Sequence, residues 1–288
     1  MNRIFFKQTN KSNPLTKNNS LTKSNPLTKN KSKKKSKNTY INKNNPLNKN
    51  INVKIVGASN DQSLHIKLIG DESKIVSDSG KMNSIYGYED LCKQVTTNMN
   101  KKSIMGSLWS SVSGVGLFLN TFNGRKDKKP LNIILSNEFP GEIIKLTLTR
   151  NNPTILISSN AFLACNTNIE LTSDVKAKAL FSTSSFIVTT ASLKTSDNEG
   201  NSGNIWASSF GNIRSKYLKK DEKMTLDDGL LVATNIQDYD VKLFCGLKSS
   251  ILGGEGFIVE FIGPGIVWYS SKSMSAFINT IAHHIPRK

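Results

Sequence analysis

Two glycine-rich sites near the C-terminus are the first places where this chain could hold a ligand. Gly253-Gly254-Glu255-Gly256 has the glycine density of a phosphate loop. Such a loop cradles an anion with backbone N–H groups at a helix start and places a Lys-Ser/Thr behind it. Here an acidic residue sits inside the run and an apolar segment, Phe257–Ile262, follows. The run therefore reads as a tight hinge into a strand. Gly263-Pro264-Gly265 reads as a turn, and Pro at i+1 with Gly at i+2 predicts type II.

The remaining reactive side chains do not assemble on paper. His65 lies on an alternating strand, and the neighbours His283-His284 end a helix, pointing apart instead of chelating as an i, i+4 pair would. Asp227-Asp228 and Glu89-Asp90 are adjacent carboxylates and read as turn residues on opposite faces. With His65 the one histidine in the β body, a Ser-His-Asp or Cys-His arrangement is not expected. Cys92, Cys165 and Cys245 match no metal spacing and read as reduced thiols serving as small apolar core residues. Trp109, Trp206 and Trp268 lack the interleaved basic residues of a base-stacking platform. The sequence thus predicts no catalytic, cofactor-binding or metal residues and no enzyme.

Charge is distributed unevenly. Residues 1–60 carry 14 Lys or Arg and no Asp or Glu, whereas residues 61–288 hold 25 basic and 21 acidic residues. The pI near 9.8 therefore belongs to the N-terminus, and says nothing about nucleic-acid binding by the body. Residues 1–51 are a Lys/Asn-rich low-complexity tail. Ser12-Asn13-Pro14-Leu15-Thr16-Lys17-Asn18 recurs at Ser24–Asn30, with echoes at Ser20–Lys23 and Asn45–Asn50. Too little apolar surface is present to offset chain entropy, so disorder is expected. The tail has three readings: a targeting presequence, a polybasic arm for nucleic acid or an anionic membrane, or an inert extension written by an AT-rich genome. They place the protein respectively in a mitochondrion, or in the cytoplasm or a viral factory or virion. No apolar run approaches the ~20 residues of a transmembrane helix.

From about Asn52 short strands dominate. Val53–Val56, Leu64–Leu68, Leu131–Leu135, Ile143–Leu148, Thr154–Ile157, Ser185–Thr190, Tyr239–Phe244, Phe257–Ile262 and Ile266–Tyr269 alternate or run apolar between turn residues. Two helices are predicted. Met105, Leu108, Trp109 and Val112 share one face of 103–112. Met274, Phe277, Ile278 and Ile281 share one face of 273–284, with Ser273 as N-cap and Pro286 beyond its end.

One short step recurs. Asp78-Ser79-Gly80, Ser158-Ser159-Asn160 and Asp227-Asp228-Gly229 each put a polar pair before a residue that tolerates positive φ. An apolar strand follows later in each case, starting at Gly116, Ser185 and Gly256, with spacings of 69 and 71 residues. We read three degenerate units of ~70 residues, approximately 52–129, 130–194 and 195–271, sharing one core as a single domain over 52–288.

These residues resemble the altered-inheritance-of-mitochondria-24 family. Gly253-Gly254-Glu255-Gly256 and Gly263-Pro264-Gly265-Ile266-Val267-Trp268 match its closing pattern, and Leu117–Phe122, Phe139-Pro140-Gly141-Glu142-Ile143 and Asn160–Ala164 resemble its earlier motifs. Departures fall at Val115, at Phe181–Ser185, and in a polar insert, Ser196–Asn204. The resemblance implies a mainly β fold of stacked sheets similar to the tryptophan RNA-binding attenuation protein, closed by a short C-terminal helix. It also implies a non-enzymatic scaffold near a membrane, supporting mitochondrial inner-membrane organisation in eukaryotes. Its protein partners are left open, a homo-oligomer is admitted, and an RNA-binding surface is the alternative.

Overall fold

The computed structural model describes residues 50–99, 118–173, 188–194, 200–243 and 257–285. All of them lie in one compact unit, residues 39–288. The basic tail, helix 103–112, Gly116, Gly253, Gly254, Glu255, Gly256, Cys245 and Trp109 fall outside the described residues.

The chain is mainly β. The first strands are β1 (Ile51–Ala58), β2 (Asp61–Ile69), β3 (Lys74–Asp78), β4 (Met82–Tyr86), β5 (Val95–Met99) and β6 (Phe118–Asn123). Next come β7 (Pro130–Ser136), β8 (Ile143–Thr149), β9 (Thr154–Ser158), β10 (Phe162–Asn166), β11 (Ile169–Ser173) and β12 (Val188–Leu193). Then follow β13 (Ser202–Ser208), β14 (Ile213–Leu218), β15 (Lys223–Asp227), β16 (Leu231–Thr234), β17 (Tyr239–Leu243), β18 (Phe257–Ile262) and β19 (Gly265–Ser270). Two short helices are described, α1 (Leu91–Gln94) and α2 (Met274–His284). Ser273 caps α2 by accepting from the Ala276 N–H, at the start read from sequence. Helix α1 is a single turn, too short to show periodicity, held by the Asp90 side chain accepting from the Cys92 N–H. The polar insert Ser196–Asn204 runs into β13, where Gly203 and Asn204 are buried.

The strands form four antiparallel sheets. Sheet I has the order β1-β2-β7-β4, sheet II β5-β6-β3-β10-β13-β8, sheet III β11-β12-β9-β16-β19-β14, and sheet IV β15-β18-β17. Adding six to every label of sheet II yields sheet III. Three apolar cores separate the four sheets. Leu64, Ile66, Leu68, Leu131, Ile133 and Leu135 of sheet I meet Ile75, Phe122, Leu163 and Trp206 of sheet II. Leu146, Leu148, Phe162 and Cys165 of sheet II meet Ile155, Ile157, Ala191 and Val232 of sheet III. Leu156, Val188 and Val267 of sheet III meet Leu226, Val241, Val259 and Phe261 of sheet IV.

Burial follows from this layering. In β7 every second residue is buried, because among the described residues sheet I has a neighbouring sheet on one face only. In β10 all five residues are buried, because sheet II is covered on both faces.

The Gly-Pro-Gly corner corrects one expectation. Gly265 has φ 159°, far from the roughly +80° that position i+2 of a type II turn takes, so the turn is not type II. Nor do its flanking strands form a hairpin, for β18 belongs to sheet IV and β19 to sheet III. The corner carries the chain across the third core. Other loops satisfy its backbone: the Gly263 N–H donates to the Glu222 carbonyl (2.9 Å), and the Ile266 N–H to the Asn235 side chain (2.7 Å).

The three steps also differ from expectation. Gly80 is left-handed (φ 86°), but Asn160 and Gly229 are not. At the second step the Ala161 N–H donates to the Ser158 carbonyl (2.9 Å), a turn that leaves Asn160 at negative φ. At the third, the Asp227 carboxylate takes the Gly229 N–H (2.9 Å) and starts a 3-10 turn over Asp228–Leu230.

Candidate interaction surface

The Phe139–Glu142 motif joins three connections: the turn between β1 and β2, the loop between β7 and β8, and the loop between β13 and β14. Gly141 and Gly211 form a parallel bridge. The Glu142 N–H donates to the Gly211 carbonyl (2.9 Å), the Ser209 N–H to the Glu142 carbonyl (3.1 Å), and the Gly211 N–H to the Pro140 carbonyl (3.0 Å). The Glu142 carboxylate accepts the Ile213 N–H (2.8 Å), and the Gln62 side chain accepts the Ile143 N–H (2.7 Å). Asn212 reaches the Ser59 carbonyl and, through its own N–H, the Ser271 hydroxyl (2.9 Å).

Helix α2 docks here through aromatic edges. Phe277 lies 5.2 Å from Phe210 and 6.4 Å from Phe139, and those two are 6.0 Å apart, centroid to centroid. Such contacts contribute about 1 kcal/mol each beyond area burial. The helix remains half out of the protein: Phe277, Ile278, Ile281 and Ile285 are all exposed. His284 bonds the Thr280 carbonyl within the last turn (2.8 Å), a local use of a helix-end histidine. Phe139 is marked in the sequence by a motif and Phe277 by helical spacing, whereas Phe210, Gly211 and Asn212 are not. The available signal was spacing, since the three phenylalanines stand 71 and 67 residues apart.

Elsewhere, the residues singled out from the sequence are dispersed over the fold. Cys165 is buried, and burial pushes its thiol up to about 12. Cys92 is exposed. Trp206 is buried in the first core, and Trp268 packs against the second. His65 lies on sheet I, its Nε2 3.1 Å from the Ser63 hydroxyl. Among the described residues no three His, Cys, Asp or Glu side chains converge to hold a metal, and no helix is long and apolar enough to cross a membrane.

Two step carboxylates are perturbed. Burial raises Asp78 to about 6 against the pull of Lys81. Burial, then the neighbouring Asp227, raises Asp228 to about 6. For a raised acid the folded chain holds a proton that the unfolded chain has already released. Stability therefore falls as pH rises from 3.8 through about 6 and stays lower above it. Asp228→Asn is expected to raise stability at pH 7 to 8 and to give no gain below about pH 4. Urea midpoints across that range check it.

Fold and loop geometry together define the class: a mainly β stack of antiparallel sheets whose connecting loops are laced by side chain–backbone bonds and closed by a short helix. The chain belongs to the mitochondrial biogenesis AIM24 family, whose model matches residues 53–272. It is 30% identical over 182 residues to the uncharacterized protein M6_Spy0233 of Streptococcus pyogenes serotype M6, covering 62% of this chain and 67% of that one. The X-ray structure of protein SPYM3_0169 from Streptococcus pyogenes superposes with a TM-score of 0.61 at 24% identity, over 82% of this chain and 100% of that chain. That likeness is one of fold.

Proposed function

We propose that this protein is a non-enzymatic scaffold that acts through protein contacts. One observation carries the reading: polar side chains at the loops hold backbone groups. Glu142 holds Ile213, Gln62 holds Ile143 and Asn235 holds Ile266 across loops, and Asp227 holds Gly229 within its own turn. They lace the loops together, and α2 presents Ile278 and Ile281 outward, with Ile285 at its C-cap, as a surface for protein or an apolar boundary. Native mass spectrometry of the purified full-length chain tests it. Protein mass alone is expected, and a stoichiometric, tightly held cofactor or metal would overturn the reading.

The acid-free basic residues 1–60 favour a second reading, in which the N-terminus binds a polyanion by counterion release. Affinity for a single-stranded RNA should then fall steeply with salt and vanish on deletion of residues 1–50. Equal binding by the truncated chain would move the RNA surface to the β body.

A further inference from the structure

The strand orders contain an unfinished sheet. In sheet II the half β5-β6-β3 joins the half β10-β13-β8 through β3 and β10. In sheet III β11-β12-β9 joins β16-β19-β14 through β9 and β16. Sheet IV, β17-β18-β15, is the first half alone, twelve labels on from β5-β6-β3. Sheet I contains the second half alone, β4-β7-β2, six labels back from β10-β13-β8. The stack thus starts and ends on complementary halves. Among the described residues β15 pairs only with β18, and β4 only with β7.

The two open edges also match the joined ones in detail. β10 slips register against β13 between Phe162 and Ala164, and β16 slips against β19 between Leu231 and Ala233. β4 slips against β7 at the corresponding place, between Met82 and Ser84. Beyond this bulge, β10 pairs Ala164 with Ser77 and Cys165 with Val76, while β16 pairs Ala233 with Ile157 and Thr234 with Leu156. Ser77 and Ile157 are the penultimate residues of their strands, as Leu226 is of β15. Transferred to the open edges, the register is Ser84 opposite Leu226, Ile85 opposite Thr225 and Tyr86 opposite Met224.

Strand β4 carries none of the usual edge defences in its own sequence, and among the described residues it pairs on one side only. Its sequence, Met-Asn-Ser-Ile-Tyr, has no charge or proline, and Met82 and Tyr86 are exposed. Strand β1 leaves it free. Its counterparts β7, β13 and β19 each lie between two strands, but β1 has no preceding sheet to enter and folds onto β2, at the far edge from β4.

We propose that this chain assembles head to tail with further copies of itself, β15 of one copy pairing antiparallel with β4 of the next. The product is a continuous sheet in the order β17-β18-β15-β4-β7-β2-β1, the internal pattern carried across the molecular boundary. The contact is heterologous, so it generates a ring or an open filament according to whether its rotation closes. The proposal deepens the scaffold reading by naming one partner.

The test is disulfide trapping in the full-length chain carrying Cys92→Ser and Cys245→Ser, since Cys165 is buried. Ile85→Cys combined with Thr225→Cys places cysteines on directly opposed residues of neighbouring strands, within bridging distance. Oxidation should yield covalent dimers and longer species at multiples of the 31.8 kDa chain mass, while either substitution alone stays at one chain. The off-register pair Ile85→Cys with Lys223→Cys should yield little. Dimers from Ile85→Cys alone would mean a two-fold contact and overturn the proposal. So would a single-chain mass for the unsubstituted protein by light scattering at every concentration. A cofactor in the native mass spectrum would overturn the scaffold reading and leave the trapping pattern unchanged.

Discussion

Gly141→Ala is expected to destabilise the fold by roughly 3 kcal/mol or more, with a matching drop in the urea midpoint. A Cβ on Gly141 would point straight into the Ser209 carbonyl. The neighbouring backbone cannot give way cheaply. Three hydrogen bonds between 140–142 and 209–211 hold the two loops at bridge distance, and the Gln62 N–H donates to the Gly141 carbonyl itself (3.0 Å). Relief of the clash would break this lacing and part Phe139 from Phe210, on which Phe277 rests. Hydrogen exchange in α2 should therefore rise together with the global loss. Gly80→Ala is the control. Nothing lies within 4 Å of its Cβ position, so only the left-handed backbone (φ 86°) opposes the side chain, at about 1 kcal/mol.

Phe162→Ala is the second large effect, at about 3–5 kcal/mol. Phe162 is fully buried in the core between sheets II and III, beside the β10 bulge and opposite Ala207. Both flanking sheets are covered on their other faces as well, so neither can move in to fill the cavity. Phe162→Leu should keep more than half of the lost stability, because it restores most of the volume. Phe277→Ala should cost only about 1 kcal/mol, since that ring is 40% exposed and contributes chiefly its edge contacts. Equilibrium unfolding of the three variants under one set of conditions checks the order.

Much of the local structure was legible. Leu64–Leu68 and Leu131–Leu135 alternate because sheet I is buried on one face, and that period of two is written directly into residue order. Helix α2 was legible from its apolar spacing and its Ser273 cap, both of which act within a few residues. Short strands that the sequence marked weakly, such as β4 and β14, carry mixed polar residues on exposed edges, where burial imposes no pattern.

The Phe139, Phe210 and Phe277 cluster shows where that legibility ends. Each ring follows a strand in its own stretch of chain, and only the meeting of the loops brings them within 6.4 Å.

By itself the sequence determined that this is a mainly β chain with a capped C-terminal helix, a basic acid-free N-terminus and the motifs of its family. These are properties of periodicity, composition and neighbouring residues. Only the tertiary structure decided which strands share a sheet. The reason is physical: strands pair through backbone N–H and C=O groups that every residue carries, so residue order says little about the partner. That choice sends β18 and β19 to different sheets across the Gly263-Pro264-Gly265 corner and, among the described residues, leaves β4 and β15 as edge strands.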